Sequence, residues 1–426
     1  MRVVHINRSD VVGGASVAAS RIVEALRAQN IDASMLVAEK SGDSSWAHPV
    51  AQSSINKTLL KSRFLWDVAG FMGHEKSRLT RFAFSLAAAG FDLSKLSLVQ
   101  EADIIHLHWF NQGFLSLKGL GKLLQLGKPV VWTLHDMWGF TGGCHYSGEC
   151  ERFTGACGHC AAIRDPSAND ISSIQHQRKK TIYRDAPLSI VTCSTWLESA
   201  ARKSSLLKDH PVISIPNPID IDLYAPFPRA EARKRLKLPI DKKILLFGAA
   251  NISDPRKGMH LLMHALKKLA NGKNAKDIEL VIFGKMPSGI DTRLPFPSHL
   301  MNFVDDPNTL VDLYNAADVF VLPSLEDNLP NTVMEALSCG TPVAAFRIGG
   351  VPEMVSHLRC GFLAPEADAT GLAEGIEYLL YKIDADEYRF LAREKVLHNF
   401  TPELIANRYI ELYSSLLSDN SLYDAK

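Results

Sequence analysis

Residues 318–346, DVFVLPSLEDNLPNTVMEALSCGTPVAAF, decide the fold class of this chain. Val319–Leu322 is an apolar run of strand length that ends at a proline, and Val343–Phe346 is a second such run. Between them, Thr332–Ser338 predicts a short helix that stops at Cys339-Gly340. Two neighbouring strands that are joined through a helix pair in parallel, because a parallel pair needs a crossover connection. This segment therefore predicts an α/β protein.

Three carboxylates follow the first of these strands. Glu326 and Asp327 lie in the turn, and Glu335 lies in the helix, eight residues beyond Asp327. Carboxylates accept hydrogen bonds from paired hydroxyls, so this spacing suits a polyhydroxylated ligand such as a sugar ring or a ribose. The backbone amides at the start of the helix would point at an anion that lies between Asp327 and Glu335. The alternative is a set of surface acids at a helix start, where the helix dipole favours them.

The rest of the chain alternates strands and helices in two series. Apolar runs predict strands at 3–6, 33–38, 103–108, 129–134, 189–192 and 212–215, and again at 243–247, 279–283, 319–322, 343–346 and 361–363. Helical patterns between the strands include 16–28, 259–270 and 370–381. Such alternation indicates parallel sheets covered on both faces. Two series predict two Rossmann-like, doubly wound domains, with the ligand in a central cleft between their strand carboxyl ends.

Prolines mark the join between the two series. Pro216-Asn-Pro-Ile-Asp220, followed by Pro226 and Pro228, breaks both helices and strands. We therefore predict an N-terminal domain at 1–217 and a C-terminal domain at 218–400. Near the end of the sequence, Thr401 can cap a helix that has Pro402 at its first position. This helix, at about 401–418, could pack back on the first domain.

Composition narrows the class of protein. The 426 residues are 46% apolar and carry a net charge of +1. This net charge is too small to indicate a nucleic-acid partner. The apolar run at Val3–Ile6 predicts a core strand and is shorter than a secretory signal needs, and no stretch has the length of a membrane span. We expect a cytoplasmic protein. Seven cysteines in such a chain argue against a disulfide scaffold and for free thiols or a metal site.

With these motifs in place, the chain resembles the family-4 retaining glycosyltransferases, which have the two-domain GT-B fold. The resemblance covers nearly the whole length and is strongest from about 243 to 365. That family has an acidic residue, seven intervening residues and a glutamate, and Asp327 and Glu335 stand at those positions. Its other motifs match the glycine-rich loop Val12–Ser16, the pair His135-Asp136, the linker Ile215–Asp220 and the basic phrase Arg256-Lys257-Gly258.

The resemblance implies transfer of a hexosyl-type unit from a nucleoside-diphosphate sugar to a hydroxyl of a glycan or a lipid-linked acceptor, in surface polysaccharide biosynthesis. It implies front-face attack, in which the leaving phosphate takes the acceptor's proton and no metal ion is needed. The implied catalytic residues are Asp327, which orients the donor sugar, His135, which contacts it, and Lys257 with Arg256, which hold the diphosphate. The implied donor-binding residues are Gly13, Gly14, Glu326, Asn328, Leu329, Pro330 and Glu335.

The motifs also have simpler interpretations. Gly13-Gly14 follows a strand and precedes a helix, so its amides could approach an anion, but a tight turn has the same sequence. Arg256-Lys257 could neutralise a diphosphate or could be a solvated basic pair. His106 and His108 share one face of a strand, which suits either a metal pair or, as we favour, packing in the core.

Four cysteines lie close together after the His135 strand. Cys144, Cys150, Cys157 and Cys160, which we call the cysteine cluster, occupy a glycine-rich segment with the spacing of a loop. Four thiolates can form a closed, tetrahedral zinc site that folds a segment without a core of its own. His145 and His159 are spare ligands. The alternatives are an iron–sulfur cluster, unligated thiols or a redox pair.

A basic, aromatic stretch lies at Asn56–Arg81. It contains the cations Lys57, Lys61, Arg63, Lys76, Arg78 and Arg81 among apolar residues that include Leu65 and Trp66. Such a stretch could rest on anionic lipid headgroups at the inner membrane face, giving peripheral membrane contact. The alternative, which we slightly favour, is an amphipathic helix pair that covers the core.

Two other functions compete with glycosyl transfer. A nucleotide-sugar isomerase of the 2-epimerase kind shares the two-Rossmann layout and would convert a donor without any acceptor. A non-enzymatic nucleotide- or zinc-binding protein would convert nothing.

Overall fold

The computed structural model describes residues 1–78, 80–285 and 294–421. The chain divides into two compact units. Residues Met1–Asn217, together with the segment that begins at Glu403, form the first unit, and Pro218–Pro402 form the second. Each unit contains one sheet in which neighbouring strands pair in parallel. The predicted α/β class, with two doubly wound parallel-sheet domains, is confirmed.

The first unit has a seven-stranded sheet with the order β3-β2-β1-β4-β5-β6-β7 in its described residues. The strands are β1 Arg2–Ile6, β2 Asp32–Val37, β3 Ala47–Pro49, β4 Ile104–Leu107, β5 Val130–Leu134, β6 Leu188–Thr192 and β7 Val212–Ser214. The helices are α1 Gly14–Ala28, α2 Ser54–Met72, α3 Ser97–Glu101, α4 Leu117–Leu124, α5 Ile171–Tyr183, α6 Thr195–Lys203 and, at the end of the sequence, α14 Pro402–Ser421.

Both faces of this sheet are buried. Val4 and Ile6 of β1 belong to one apolar core, and Val3 of the same strand belongs to another. Successive side chains of a strand point to opposite faces, so the alternation places one core on each side of the sheet. The second core includes Tyr409 and Tyr413 of α14, so the last helix of the chain covers one face of the first sheet.

Buried histidines form part of that core. His5 of β1 is the register partner of His106 of β4, and His108 lies two residues further along on the same face. The ring centroids of His5 and His106 are 4.5 Å apart, and those of His106 and His108 are 4.3 Å apart. Tyr413 Oη lies 2.6 Å from His106 Nδ1, which ties the stack to α14.

The second unit has a sheet with the order β10-β9-β8-β11-β12-β13 in its described residues. The strands are β8 Lys243–Asn251, β9 Ile278–Lys285, β10 Ser298–Met301, β11 Val319–Leu322, β12 Val343–Phe346 and β13 Gly361–Ala364. The helices are α7 Arg229–Leu236, α8 Met259–Ala270, α9 Pro307–Ala316, α10 Asn331–Ser338, α11 Val351–Met354, α12 Ala369–Tyr381 and α13 Ala385–Asn399.

A buried ion network anchors the start of β11. Asp318 Oδ2 accepts from Arg233 Nη2 at 2.7 Å and from the Ile244 amide at 2.7 Å, while its other oxygen lies 2.8 Å from Arg229 Nη1. Arg233 also donates to the carbonyl oxygens of Ala316, Ile240 and Lys242. Because its partners lie on α7 and β8, this carboxylate fixes the start of β11, the strand that leads to the turn of Glu326 and Asp327.

The edges of the sheets differ from the prediction. The outer strands β3 and β10 were not predicted, since they are short and carry polar residues or proline. Among the described residues, none of the helices is both long and apolar enough to span a bilayer.

Loss of the Asp318 carboxylate should destabilise the second unit. Asp318→Asn leaves the buried Arg233 cation without its anion, although its carbonyl contacts remain, so we expect the free energy of unfolding to fall by about 3 kcal/mol. The exposed pair of Lys268 with Glu374 provides the matched control: Glu374→Gln should cost less than about 1 kcal/mol. Denaturant titration followed by circular dichroism measures both, and equal losses would contradict the role of the network.

The histidine stack should make the first unit sensitive to acid. Burial lowers the pKa of His5 to about 3, and burial with neighbouring histidines lowers those of His106 and His108 well below the usual value. These groups protonate in the unfolded chain near pH 6.5 but not in the folded one, so the free energy of unfolding should fall as the pH drops from about 6.5 towards 4, by up to about 1.4 kcal/mol per pH unit for each.

His5→Gln tests this pH dependence. Removing one buried imidazole should make the decline in unfolding free energy less steep by about one proton. His398→Gln, at a histidine whose side chain is 70% exposed, is the control and should leave the slope as in the parent protein. An unchanged slope in His5→Gln would show that this imidazole already binds a proton in the folded state.

Candidate functional site

The acidic turn after β11 has a fixed backbone. Asn328, Leu329 and Pro330 are buried, and the Gly350 amide donates to the Asn328 carbonyl at 2.9 Å. Pro330 occupies the cap position of α10 with an extended backbone. The turn therefore holds its side chains in place against the loop that follows β12.

A close contact between the backbones of Gly258 and Pro323 positions Lys257 beside this turn. Asp254 caps the 3-10 turn Pro255–Lys257 by accepting from the Arg256 amide at 3.0 Å. Gly258 then adopts φ +70°, and a Cβ there would lie 1.7 Å from the Pro323 carbonyl oxygen, so only glycine fits. The result is an ion pair in which Lys257 Nζ lies 2.6 Å from Asp327 Oδ2.

The two neighbouring basic residues face different carboxylates. Arg256 donates through Nη2 to Asp254 Oδ2 at 2.7 Å and through Nε to Asp254 Oδ1 at 3.3 Å. Its side chain is more exposed than that of Lys257. The structure thus brings Lys257 and Asp327 together and gives Arg256 a local partner within its own turn.

Glu335 is a buried carboxylate on α10. Its Oε2 accepts a hydrogen bond of 2.9 Å from the Tyr314 hydroxyl. Burial, with the charge of Glu335, raises the pKa of Tyr314 well above its usual value, so this hydroxyl keeps its proton and donates. Glu326 lies beside Asp327 and is half-buried. Of the two neighbouring acids, Asp327 is the one that pairs with Lys257.

Sequence reasoning missed the loop after β12. Gly349 has φ +48°, and a Cβ there would lie 1.8 Å from the Asp327 carbonyl oxygen. This glycine therefore permits the contact between the β12 loop and the acidic turn. The sequence signal is Gly349-Gly350, separated by two residues from an apolar strand and just before a helix, which resembles the position of Gly13-Gly14 between a strand and a helix.

In the first unit, Gly13 occupies the cap position of α1, and Gly14 begins the helix. Gly13 has φ +94°, a conformation that favours glycine, and a Cβ built there would have no neighbour within 4 Å. Nearby, the Asp10 carboxylate accepts from the Ser41 amide at 2.9 Å and the Gly42 amide at 2.8 Å. The helix start is thus accessible, and the loop before it is anchored.

His135 lies at the carboxyl edge of the first sheet. Its Nε2 is 3.2 Å from His108 Nδ1, and Cys193 Sγ is 3.5 Å from its Nδ1. Burial lowers the pKa of His135 to about 4, although Asp136 opposes this shift. The imidazole is therefore neutral at physiological pH and can act as a hydrogen-bonding group.

Asp136 is the centre of a hydrogen-bond network. It accepts from Trp109 Nε1 at 2.9 Å and from the Trp138 amide at 2.8 Å, and its Oδ2 lies 2.7 Å from His145 Nδ1. Burial alone would raise the pKa of Asp136, but His145 and these donors lower it, so the carboxyl is ionised.

The cysteine cluster surrounds one small cavity. All four sulfur-bearing residues line it, together with Phe84, Phe153 and Arg152. The thiols are free, and burial raises the pKa of Cys144 to about 12 and that of Cys157 to about 11. Without a cation these sulfurs are therefore protonated, which is not the state of a reactive redox thiol.

The suggested spare ligands do not join the cluster. Both ring nitrogens of His145 lie within hydrogen-bond distance of other groups, Asp136 Oδ2 at 2.7 Å and Ser85 Oγ at 2.9 Å. His159 is exposed. The expectation that His145 could serve as an additional ligand is therefore not supported by its contacts.

The histidine pair considered from the sequence belongs to the core. In the described part of the chain, His5, His106 and His108 bring ligand nitrogens within 4.8 Å of one another. Both nitrogens of His106, however, already contact Thr133 Oγ1 at 2.7 Å and Tyr413 Oη at 2.6 Å. These contacts favour the packing interpretation over a metal pair.

Two family models match this chain. The model described as Glycosyltransferase Family 4 matches residues 12–223, and the model described as Glycosyl transferases group 1 matches residues 241–382. The D-inositol 3-phosphate glycosyltransferases of Corynebacterium efficiens and Corynebacterium glutamicum are 27% and 28% identical to it. Those matches cover 74% and 75% of this chain, and 71% and 74% of the relatives.

Solved structures show the same fold. Sucrose-phosphate synthase from Thermosynechococcus elongatus has a TM-score of 0.65 at 20% identity, with 98% of this chain and 100% of that one covered. HepE from Anabaena, solved in complex with UDP-glucose, has a TM-score of 0.60 at 17% identity, with 97% and 100% covered. Both have the GT-B architecture. With the two models together spanning most of the sequence, the chain belongs to glycosyltransferase family 4.

Proposed function

We propose that the protein is a retaining glycosyltransferase that moves a hexosyl unit from a nucleoside-diphosphate sugar to a hydroxyl of a glycan or a lipid-linked acceptor. The observation that supports it most is the ion pair between Lys257 Nζ and Asp327 Oδ2, at 2.6 Å, on a backbone held by close approaches at Gly258 and Gly349. A cation beside a carboxylate at the carboxyl edge of an α/β sheet suits a ligand with both phosphate and hydroxyl groups.

The roles of the residues follow from their charge. Asp327 accepts hydrogen bonds from the donor sugar and orients it, with Glu326 beside it, while Asn328, Leu329 and Pro330 shape the turn. Glu335 holds the ribose hydroxyls as an acceptor. Lys257 and Arg256 face the diphosphate, and the amides at Gly13 and Gly14 offer further donors to an anion. His135, neutral through burial, is a hydrogen-bonding partner for the transferred sugar.

The chemical step breaks the bond between the anomeric carbon and the diphosphate oxygen and forms a bond from that carbon to the acceptor oxygen on the same face. The acceptor's proton passes to the departing phosphate oxygen. Negative charge grows on the diphosphate as it leaves, and a preorganised cation stabilises that charge more than it stabilises the bound donor. Lys257 supplies this cation, so the proposed step calls on no metal ion.

The similar proteins support particular candidates for the sugar donor and for the acceptor. HepE was solved with UDP and with UDP-glucose, which supports a nucleoside-diphosphate sugar as the donor class. The Corynebacterium relatives are named for D-inositol 3-phosphate, so an inositol phosphate is a second candidate acceptor. We place the reaction in the cytoplasm, in surface polysaccharide biosynthesis when the acceptor is a lipid-linked glycan.

Lys257→Ala should lower kcat by about 100-fold to 1,000-fold, because it removes a cation that acts on the developing charge. The donor is first selected by a thermal-shift panel of uridine- and guanosine-diphosphate sugars. Transfer is then measured with lipid-linked glycan and with inositol phosphate acceptors, and NMR of the product tests for a retained anomeric configuration. Lys267→Ala, at an exposed lysine of helix α8, which follows the Lys257 turn, is the control and should keep the parent rate.

Three outcomes would contradict the proposal. Equal turnover by Lys257→Ala and the parent would remove Lys257 from the site. Conversion of the donor sugar without any acceptor would favour the isomerase, and no binding or turnover of any donor would favour a non-enzymatic protein.

We further propose that α2 contacts an anionic membrane surface. Leu60, Asp67 and Phe71 are the buried residues of this helix, whereas Leu65 and Trp66 are 63% and 71% exposed. At 100° per residue, the exposed apolar side chains fall on the face opposite the buried one. That face also carries Ile55, Leu59 and Met72.

The cations around α2 divide into two groups. Lys57, Lys61, Lys76 and Arg78 are exposed and available to lipid headgroups. Arg81 donates to the Glu75 carboxylate at 2.9 Å through Nε, and the Arg63 guanidinium lies over the Phe91 ring at 4.0 Å. An apolar stripe flanked by free lysines is the pattern of a helix that lies in a membrane interface.

The double substitution Leu65→Ser, Trp66→Ser should weaken binding to vesicles at least about tenfold, since each side chain buries apolar area worth about 1.5–3 kcal/mol. Sedimentation with vesicles of equimolar phosphatidylcholine and phosphatidylglycerol measures it. Phe303→Ser, at a side chain of the second unit that is 59% exposed, is the control and should bind like the parent. Failure of the parent protein to sediment would show that the stripe serves another purpose.

A further inference from the structure

The segment between the 3-10 turn Trp138–Phe140 and helix α5 has little secondary structure. Within Thr141–Asp170 the structure shows one further 3-10 turn, Arg152–Thr154. Long connections of this kind inside a compact domain are uncommon and are usually functional. The apolar residues around it, Phe71, Phe84, Leu86 and Ile163, form a small satellite core against which Cys144 and Cys160 pack. Such a core is too small to order the segment alone.

The Cys157–Cys160 turn has an unusual backbone. Cys157, Gly158 and His159 have φ values of 57°, 86° and 46°, three successive left-handed residues of which two are not glycine. Each such residue costs about 1–2 kcal/mol, and the arrangement persists only where its surroundings impose it. A Cβ at Gly158 would lie 2.6 Å from the Ala168 carbonyl oxygen, so the turn also packs tightly.

Amide donors surround this turn and its sulfurs. The Cys160 amide donates to Asp170 Oδ2 at 2.9 Å, and the Gly158 amide donates to Ser172 Oγ at 3.0 Å. Burial raises the pKa of the Cys157 and Cys160 thiols, and the Gly142 and Ala162 amides oppose this shift, respectively. Hydrogen bonds to sulfur that orient it are the outer shell expected around metal-bound thiolates.

Lys179 provides an independent observation. Its side chain is 1% exposed, and its Nζ donates to the carbonyl oxygens of Trp138 and Thr141 and lies 3.6 Å from the centroid of the Trp138 ring. In the described part of the chain it touches no carboxylate. Burial lowers the pKa of Lys179 to about 7, and Cys144, Cys157 and Asp136 oppose this shift. A buried ammonium group is normally paired with an anion, and an anion at the cysteines would keep Lys179 charged.

From these observations we infer that the cysteine cluster binds one Zn²⁺ through four thiolates. Zinc with four thiolates carries a net charge of −2, and Lys179 is the buried cation that partly balances it. The four bonds leave no open position on the metal, so the centre is structural. Zinc is preferred to an iron–sulfur cluster because one ion needs less room than several irons with their inorganic sulfides, and the cavity that the four cysteines line is small.

Binding must draw the sulfurs together. In a tetrahedral site with bonds of about 2.3 Å, neighbouring sulfurs are about 3.8 Å apart. Within the described residues, only the three core histidines bring ligand atoms within 4.8 Å as a group, so the cysteine sulfurs lie further apart than a closed site requires. The inferred site therefore requires the thiol side chains to rotate towards their shared cavity, while hydrogen bonds to Asp170 and Ser172 hold the turn.

The centre would position the residues next to His135. His145 follows Cys144 directly, and the Thr141 hydroxyl donates to the Cys144 carbonyl at 2.6 Å. His145 Nδ1 in turn lies 2.7 Å from Asp136 Oδ2. Zinc bound to Cys144 therefore fixes the imidazole that holds Asp136. Metal binding stands independently of the proposed transferase activity, whereas this positioning role rests on it.

The first test is the metal content of the full chain, purified without a metal-affinity step. We expect one zinc per chain by elemental analysis, and a substituted Co²⁺ form with the absorption of tetrahedral thiolate ligation. Cys157→Ser and Cys160→Ser should lose the metal. Cys360→Ser, at a buried cysteine of the second unit, should retain it. Stoichiometric iron, disulfides between these cysteines, or a parent protein without metal would each overturn the inference.

Lys179 gives a test that does not require a cysteine variant to fold. Lys179→Met should weaken zinc binding about 10-fold to 100-fold in a chelator competition, the usual effect of an outer-shell residue. Lys179→Arg should restore most of it, and Lys180→Met, at the exposed neighbour, should bind like the parent. Equal affinities in all variants would overturn the charge-balancing role.

The positioning role has its own readout. Chelation of zinc should speed amide exchange in 141–160 and weaken the contact of His145 with Asp136, seen as a shift in the His145 imidazole resonances. Zinc loss with unchanged exchange and resonances would overturn the positioning role while leaving the metal site intact. Activity is then measured separately, so that an inactive parent protein counts against the proposed function alone.

Discussion

Parallel strand pairing is the constraint on which the rest of the molecule depends. Since the chain must cross back before each new strand, every strand of a sheet ends at the same edge. In the second unit β8 pairs with β11, and β11 pairs with β12. The loops that follow these three strands carry Lys257, Asp327 and Gly349, respectively. Residues that are far apart in sequence therefore become neighbours at that edge. The strand order, more than any single side chain, brings this site together.

Backbone contacts, more than side chains, set the spacing at that edge. Gly258 meets the Pro323 carbonyl and Gly349 meets the Asp327 carbonyl, both at distances that exclude a Cβ. Three loops held so closely leave their polar side chains little freedom. Lys257 and Asp327 are therefore held in a fixed geometry on their separate loops. Electrostatic stabilisation requires such preorganised charges.

The sequence predicted the elements that a local residue pattern determines, such as the interior strands. It did not predict the edge strands or the side-chain pairs that form between distant parts of the chain. Interior strands such as Val319–Leu322 were predicted because a strand buried on both faces is a continuous apolar run. The edge strands β3 and β10 lack such a run. The Asp327–Glu335 spacing lies within one local segment, whereas the partner of Lys257 is seventy residues away. Nothing in the sequence around His5 pointed to its place beside His106, because strand register joins them.

The return of α14 to the first sheet has a consequence for synthesis. The second unit is continuous, but the first is completed only by a helix that follows it, with Tyr409 and Tyr413 covering the histidine face. A ribosome makes the chain from its amino terminus, and domains generally fold as units in that order. In this protein one face of the first sheet cannot be completed in that order. Its apolar surface stays uncovered until the second unit and then α14 have been translated. An apolar surface left uncovered during that interval favours aggregation of the nascent chain.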